Sequence, residues 1–147
     1  MISEQLTIEI QMPQRPVRYW YKVRTDCIRV IDGDTIECLT DLTHGVHIEA
    51  TYRLASINAP EMKGKTKKAA ESSAGFVREW LYSAGSFVWI KSLKNRGNDK
   101  QIQTFGRYVA YVFGPAGECL NVQMVAEGHA VPYMIELITE DSFEVKK

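Results

Sequence analysis

Leu6, Ile8, Ile10 and Met12 alternate with Thr7, Glu9 and Gln11, and this period of two predicts a strand, broken by Pro13 and Pro16. Residues 19–31, rich in aromatic and β-branched types, predict a second strand. Residues 35–40 return from Asp32-Gly33-Asp34 as the other arm of a hairpin. After a turn at 41–45, residues 46–57 predict one long strand, with Arg53, Ala55 and Ile57 on one side and Tyr52, Leu54 and Ser56 on the other. Pro60 ends it. Ala69/Ala70, Ser73, Phe76/Val77, Trp80/Leu81 and Ala84 recur at three-four spacing, which predicts a helix with one buried face, terminated by Gly85. Strands at 87–93 and 107–113 follow, separated by a polar loop. A short helix through Val122, Val125 and Ala126 is expected to be capped by Asn121 and to stop at Gly128. Residues 134–147 are amphipathic and acidic, and their pattern assigns no element.

That order predicts a mainly β fold with helices, a five-stranded OB-fold barrel with one helix between the third and fourth strands and another after the fifth. The 147 residues suit one domain, with a core at about 22–133, an N-terminal strand extension at 1–18 and the acidic segment at 134–147. The strand at 6–12 could extend the barrel or pair with a second molecule, because an unpaired edge invites partners.

Composition alters this picture little; charge distribution alters it more. Lys plus Arg and Asp plus Glu both number 18, so net charge points to no partner. Yet residues 53–107 hold eleven basic side chains against four acidic ones, so one basic face could meet a polyanion while the molecule stays neutral. Lysines on a solvated helix face would give the same count. Cys27, Cys38 and Cys119 show no metal-site spacing and are expected to be reduced. His44, His47 and His129 likewise lack zinc spacing and read as surface or loop residues. Residues 1–12 lack a basic region and an apolar core, so no signal peptide is expected. No stretch reaches membrane-spanning length, and a cytoplasmic or virus-encoded intracellular protein is the expectation.

The chemistry concentrates in Asp32-Gly33-Asp34-Thr35, Arg53, Asn58-Ala59-Pro60-Glu61 and Gly106-Arg107. Asp34 follows a turn glycine, so its carboxylate could project into open space. Asn58 and Glu61 leave the end of the long strand. Strand ends meeting at one barrel rim could supply several oxygen ligands to a hard cation. One carboxylate near a water and two guanidinia would complete equipment for cleaving a phosphodiester. Each element also has a plainer reading: a hairpin turn for the acids, a surface arginine for Arg107, and for Arg53 a partner carboxylate such as Glu61.

In this order, Asp32-Gly33-Asp34-Thr35, Tyr52-Arg53-Leu54, Ala59-Pro60-Glu61 and Phe105-Gly106-Arg107 resemble the thermonuclease family, the staphylococcal-nuclease-like OB-fold enzymes, over about residues 22–133. The resemblance implies a Ca2+-dependent phosphodiesterase that cleaves DNA and RNA and leaves 3′-phosphorylated ends. It implies Asp34, Asn58 and the Ala59 carbonyl as metal ligands, and Glu61 as holder of the attacking water. Arg53 and Arg107 would clamp the phosphate, braced by Asp32 and Thr35. Lys63, Lys65, Lys67, Lys68, Phe105 and Tyr133 would contact the nucleic acid.

This chain departs from the family at Asn58, where the family carries an acid, at Ala59, where threonine is common, and at Phe105, where tyrosine is frequent. The segment before Tyr133 is one residue shorter. Losing one ligand charge predicts weaker Ca2+ binding. A rival reading is therefore a nuclease-like module that binds nucleic acid or protein without cleaving. A third, a protein-binding scaffold, would need exposed pocket aromatics, whereas Trp20, Trp80 and Trp89 read as packing residues.

Overall fold

The computed structural model describes residues 19–93 and 106–133, together with the backbone of 8–9, 103–104 and 144–145. Strands β1 (Ile8–Glu9), β2 (Trp20–Arg24), β3 (Ile28–Asp32), β4 (Thr35–Asp41), β5 (His47–Leu54) and β6 (Ile57–Asn58) precede helix α1 (Lys67–Ala84). Then come β7 (Phe87–Ser92), β8 (Gln103–Thr104), β9 (Arg107–Phe113), helix α2 (Leu120–Ala126), β10 (Val131–Pro132) and β11 (Glu144–Val145). The main sheet runs β2-β7-β9-β5-β4-β3, with β8 paired to β9. Its outer strands, β2 and β3, are successive parts of one run, joined by a 3-10 turn at Thr25–Cys27. A twisted sheet whose two ends are halves of one bent strand curls back on itself, giving the OB-fold-like barrel with two helices. The parallel pairing of β5 with β9 requires a long crossover, which α1 and β7 supply.

The barrel interior is filled by Val23, Ile36, Tyr52, Leu54, Val88, Ile90 and Val112, and closed by Val77 and Leu81 of α1 with Leu120 and Met124 of α2. The buried face of α1, Ala70, Ser73, Ala74, Val77 and Leu81, has the predicted three-four spacing. Gly85 ends that helix at φ +99°, a conformation that favours glycine. Trp20 and Trp89 pack edge to face in a second cluster with Tyr111 and Phe113, while Trp80 lies partly buried against the main core. All three cysteines are free. Burial pushes the Cys38 and Cys119 thiols up to about 12, so both stay protonated hydrophobes.

Three local expectations are corrected. The run 19–31 is not one strand, because the 3-10 turn divides it. The run 46–57 is broken at Ala55-Ser56, where Ser56 takes φ +65° and β6 leaves the sheet to pair with β10. Asn121 does not cap α2. Cys119 holds the cap position, and the buried Asn121 side chain turns to β9 instead. Of the N-terminal strand predicted at 6–12, Ile8–Glu9 pairs antiparallel with Glu144–Val145 of the same chain, in a sheet separate from the barrel. The rest of that strand lies outside the described residues.

Candidate active site

The β3–β4 turn is wedged against the body of the protein. A Cβ placed on Gly33 would lie 2.8 Å from the Ser73 Cβ and 2.9 Å from the Ala59 Cβ, so only glycine lets the acidic turn approach α1 this closely. Ser73 itself donates to the His129 carbonyl at 2.7 Å, which ties the same spot of α1 to the chain after α2. Within the turn, the Asp34 N–H donates to Asp32 Oδ1 at 3.1 Å.

Asp34 does not project into open space as expected; the residue is only 9% exposed. Its Oδ2 accepts the Ala59 N–H at 2.9 Å, and its Oδ1 accepts the Thr35 hydroxyl at 3.2 Å. Arg53 Nη2 stands 3.7 Å from Oδ2. A buried carboxylate is tolerable because these donors surround it. Asp32 is more open. Burial, followed by the side-chain interaction with the Asp34 carboxyl and repulsion from it, holds the Asp32 carboxyl above the ordinary aspartate range, although the Asp34 N–H pulls the other way.

Arg53 lies opposite Thr35 in the β4–β5 pairing, which sets it beside the acidic turn. Its Nη1 donates to the Leu54 carbonyl at 2.8 Å and its Nη2 to Asn58 Oδ1 at 3.1 Å. The guanidinium also stands 5.3 Å from the centre of the Tyr133 ring. The partner carboxylate is thus Asp34, not Glu61. Arg107 opens β9, whose parallel register against β5 brings it to the same rim. It donates through Nη1 to Thr35 Oγ1 at 3.2 Å, while that hydroxyl donates to Asp34. Thr35, buried to 3% exposure, therefore links one arginine to the acid that the other arginine flanks.

Asn58 and Ala59 reach the rim through the break at Ala55-Ser56. The Ala55 N–H donates to the Ala110 carbonyl at 2.8 Å, and Asn121 Nδ2 donates to the Ala55 carbonyl at 2.9 Å. The Ser56 and Tyr111 hydroxyls share a short hydrogen bond, and the Ser56 carbonyl accepts the Tyr133 N–H at 2.8 Å. Sequence reasoning missed this anchoring set. No short-range signal could have found it, because Ser56 ends a run that already carries the polar His47, Glu49, Thr51 and Arg53.

Glu61 is exposed, and its backbone carbonyl accepts the Thr66 hydroxyl at 2.6 Å. Among the described residues, nothing bonds its carboxylate. Lys63, Lys65, Lys67 and Lys68 are all exposed around the start of α1. Tyr133 is 45% exposed beside Arg53. Phe105 lies outside the described residues. His44 and His47 are on the surface, and His129 stacks on Phe76 with ring centres 4.7 Å apart.

Among the described residues, no three His, Cys, Asp or Glu side chains gather to hold a metal by themselves. The available donors are two carboxylates of the acidic turn, the Asn58 amide oxygen and main-chain carbonyls such as that of Ala59. An oxygen-only set of this kind suits a hard divalent cation and not zinc or copper. Arg53 now bridges two of these oxygens, on Asp34 and Asn58.

The family model described as staphylococcal nuclease homologue matches residues 51–145, so the match begins after the acidic turn. No curated protein matches the chain.

Proposed function

The chain belongs to the staphylococcal nuclease homologue family, and on that premise we propose that it is a Ca2+-dependent, sugar-nonspecific endonuclease. It hydrolyses phosphodiester bonds of DNA and RNA and leaves 3′-phosphorylated ends. One observation carries the reading: Arg53 and Arg107 come from different strands, yet both are held around the buried carboxylate of Asp34, Arg107 through Thr35.

In this reading Glu61 orients a water and takes its proton as the water oxygen bonds to phosphorus. The bond from phosphorus to the 5′ oxygen breaks, the leaving oxygen takes a proton from solvent, and Glu61 returns to solvent the proton it removed. Negative charge gathers on the non-bridging oxygens as this happens. Two planar guanidinia, positioned at the rim by Leu54, Asn58 and Thr35, stabilise that charge once Arg53 exchanges its contact with Asn58 for the phosphate. Asp34, Asn58 and the Ala59 carbonyl would hold the cation, braced by Asp32 and Thr35. When bound, the cation neutralises the repulsion between an anionic strand and the acids of the rim. Lys63, Lys65, Lys67 and Lys68 attract the backbone without reading sequence, so binding weakens with salt. Phe105 and Tyr133 contact the nucleotide.

A second reading, a module that binds without cleaving, is favoured by the neutral Asn58 and by the engagement of Arg53 with it. Incubation of single-stranded DNA and of RNA with the protein, in Ca2+ and in chelator, separates the two. Ca2+-dependent fragments support the nuclease; a mobility shift with intact strands supports the module.

A further inference from the structure

We propose that Ser56 is a positioning residue for this rim, acting through its buried hydroxyl bond to Tyr111. The inference rests on the nuclease reading for its catalytic consequence, though not for its structural one. Along β5 the side chains of Ala50, Tyr52 and Leu54 point inward, and continued alternation would carry the following residues along the barrel wall. Instead the chain turns at Ser56, whose φ of +65° is disfavoured for any residue with a Cβ. Ser56 and Tyr111 are 1% and 0% exposed, so their hydroxyls bond to each other out of reach of water.

The backbone around this turn is occupied on both sides. Asn121 takes the Ala55 carbonyl, Ala110 takes the Ala55 N–H, and the Ser56 carbonyl receives the Tyr133 N–H. Two parts of the rim consequently depend on one strained residue. Downstream, β6 brings Asn58 to Arg53, and the next residue, Ala59, meets Asp34. Across the break, Tyr133 is docked on Ser56 and set beside Arg53. The hydroxyl pair offsets the strain that makes this geometry possible.

Glycine adopts φ +65° freely, and this supplies a discriminating test. Ser56→Ala removes the hydroxyl and keeps the strain; Ser56→Gly removes both; Tyr111→Phe removes the partner. Amide hydrogen exchange at Tyr133 and Ala59, with melting temperature, is measured on each variant without Ca2+. Cleavage of single-stranded DNA is measured with it, well below the melting temperature. In Ser56→Ala and Tyr111→Phe, exchange at those two amides accelerates about tenfold while amides of β7 and β9 are unchanged, the scale set by one buried hydrogen bond. The same variants lose about tenfold in kcat with a smaller change in KM. Ser56→Gly restores wild-type exchange and kcat even though its melting temperature moves.

Uniform exchange changes with unaltered kcat mean that the pair serves general stability, and this overturns the proposal. So does a Ser56→Gly variant as impaired as Ser56→Ala. Failure of the wild type to cleave at all overturns the nuclease reading alone, because the exchange pattern still decides whether Ser56 positions the rim.

Discussion

Asn58→Asp adds one negative charge at a point whose neighbours are known. Asn58 Oδ1 accepts from Arg53 Nη2 at 3.1 Å, and the same nitrogen stands 3.7 Å from Asp34 Oδ2. Two unit charges about 4 Å apart in a water-like surrounding interact by about 1 kcal/mol. A divalent cation doubles that to about 2 kcal/mol, or roughly thirtyfold in affinity. The new carboxylate also attracts Arg53, and an ion pair at so exposed a position opposes cation entry by about 0.2–1 kcal/mol. The difference predicts Ca2+ binding about tenfold tighter in Asn58→Asp. Calorimetric titration of both proteins with Ca2+, at matched ionic strength and without nucleic acid, measures it directly. The gain should shrink as salt rises, because the site is open to screening. A second consequence follows from the same competition. With Arg53 held more firmly by residue 58, the nucleic-acid KM at saturating Ca2+ should rise. Equal or weaker Ca2+ binding in the variant would refute Asn58 as a ligand.

Gly33→Ala forces a Cβ to 2.8 Å and 2.9 Å from the Cβ atoms of Ser73 and Ala59, which cannot rotate aside, so urea denaturation should show a loss of about 1–3 kcal/mol. Asp32 has a raised pKa when folded, so the native state binds its proton more tightly than the unfolded chain does. Its contribution therefore worsens as pH climbs from the ordinary value of 3.8 through the folded value, and is constant above it. Asp32→Asn keeps an oxygen for the Asp34 N–H and removes that titration. In chelator, its stability relative to wild type should improve over this window and then level off; parallel curves would contradict the assignment. Arg107→Ala leaves the Thr35–Asp34 bond in place, so steady-state kinetics should show kcat reduced about 10²–10³-fold, with denaturant stability little changed.

Local pattern made the barrel and the main helix legible, since the spacing of Ala70, Ser73, Val77 and Leu81 is set by the helix repeat alone. The ordered motifs likewise indicated the family. What stayed hidden depends on partners distant in the chain. Asp34 was expected in the open, but the N–H that stabilises its burial belongs to Ala59, 25 residues later. Arg53 was expected to clamp phosphate, with Glu61 only one example of a partner under the plainer reading, because nothing local reveals that β4 lies beside β5 with Thr35 opposite Arg53. Asn121 looks like a cap since asparagine favours that role. Its actual bonds to Ala55, Ala110 and Val112 arise only once α2 docks on β9. The turn at Ser56 carries neither glycine nor proline and is held by Tyr111, so no short-range signal marks it.

Whether this rim hydrolyses phosphodiesters is decided by cleavage of a 5′-labelled single-stranded DNA by wild type and Glu61→Gln, in Ca2+ and in chelator, with the new ends mapped by phosphatase sensitivity. Wild type should yield 3′-phosphorylated fragments in Ca2+ only, and Glu61→Gln almost none although it still binds the strand. Intact DNA with wild type, or equal cleavage by Glu61→Gln, would contradict the nuclease reading.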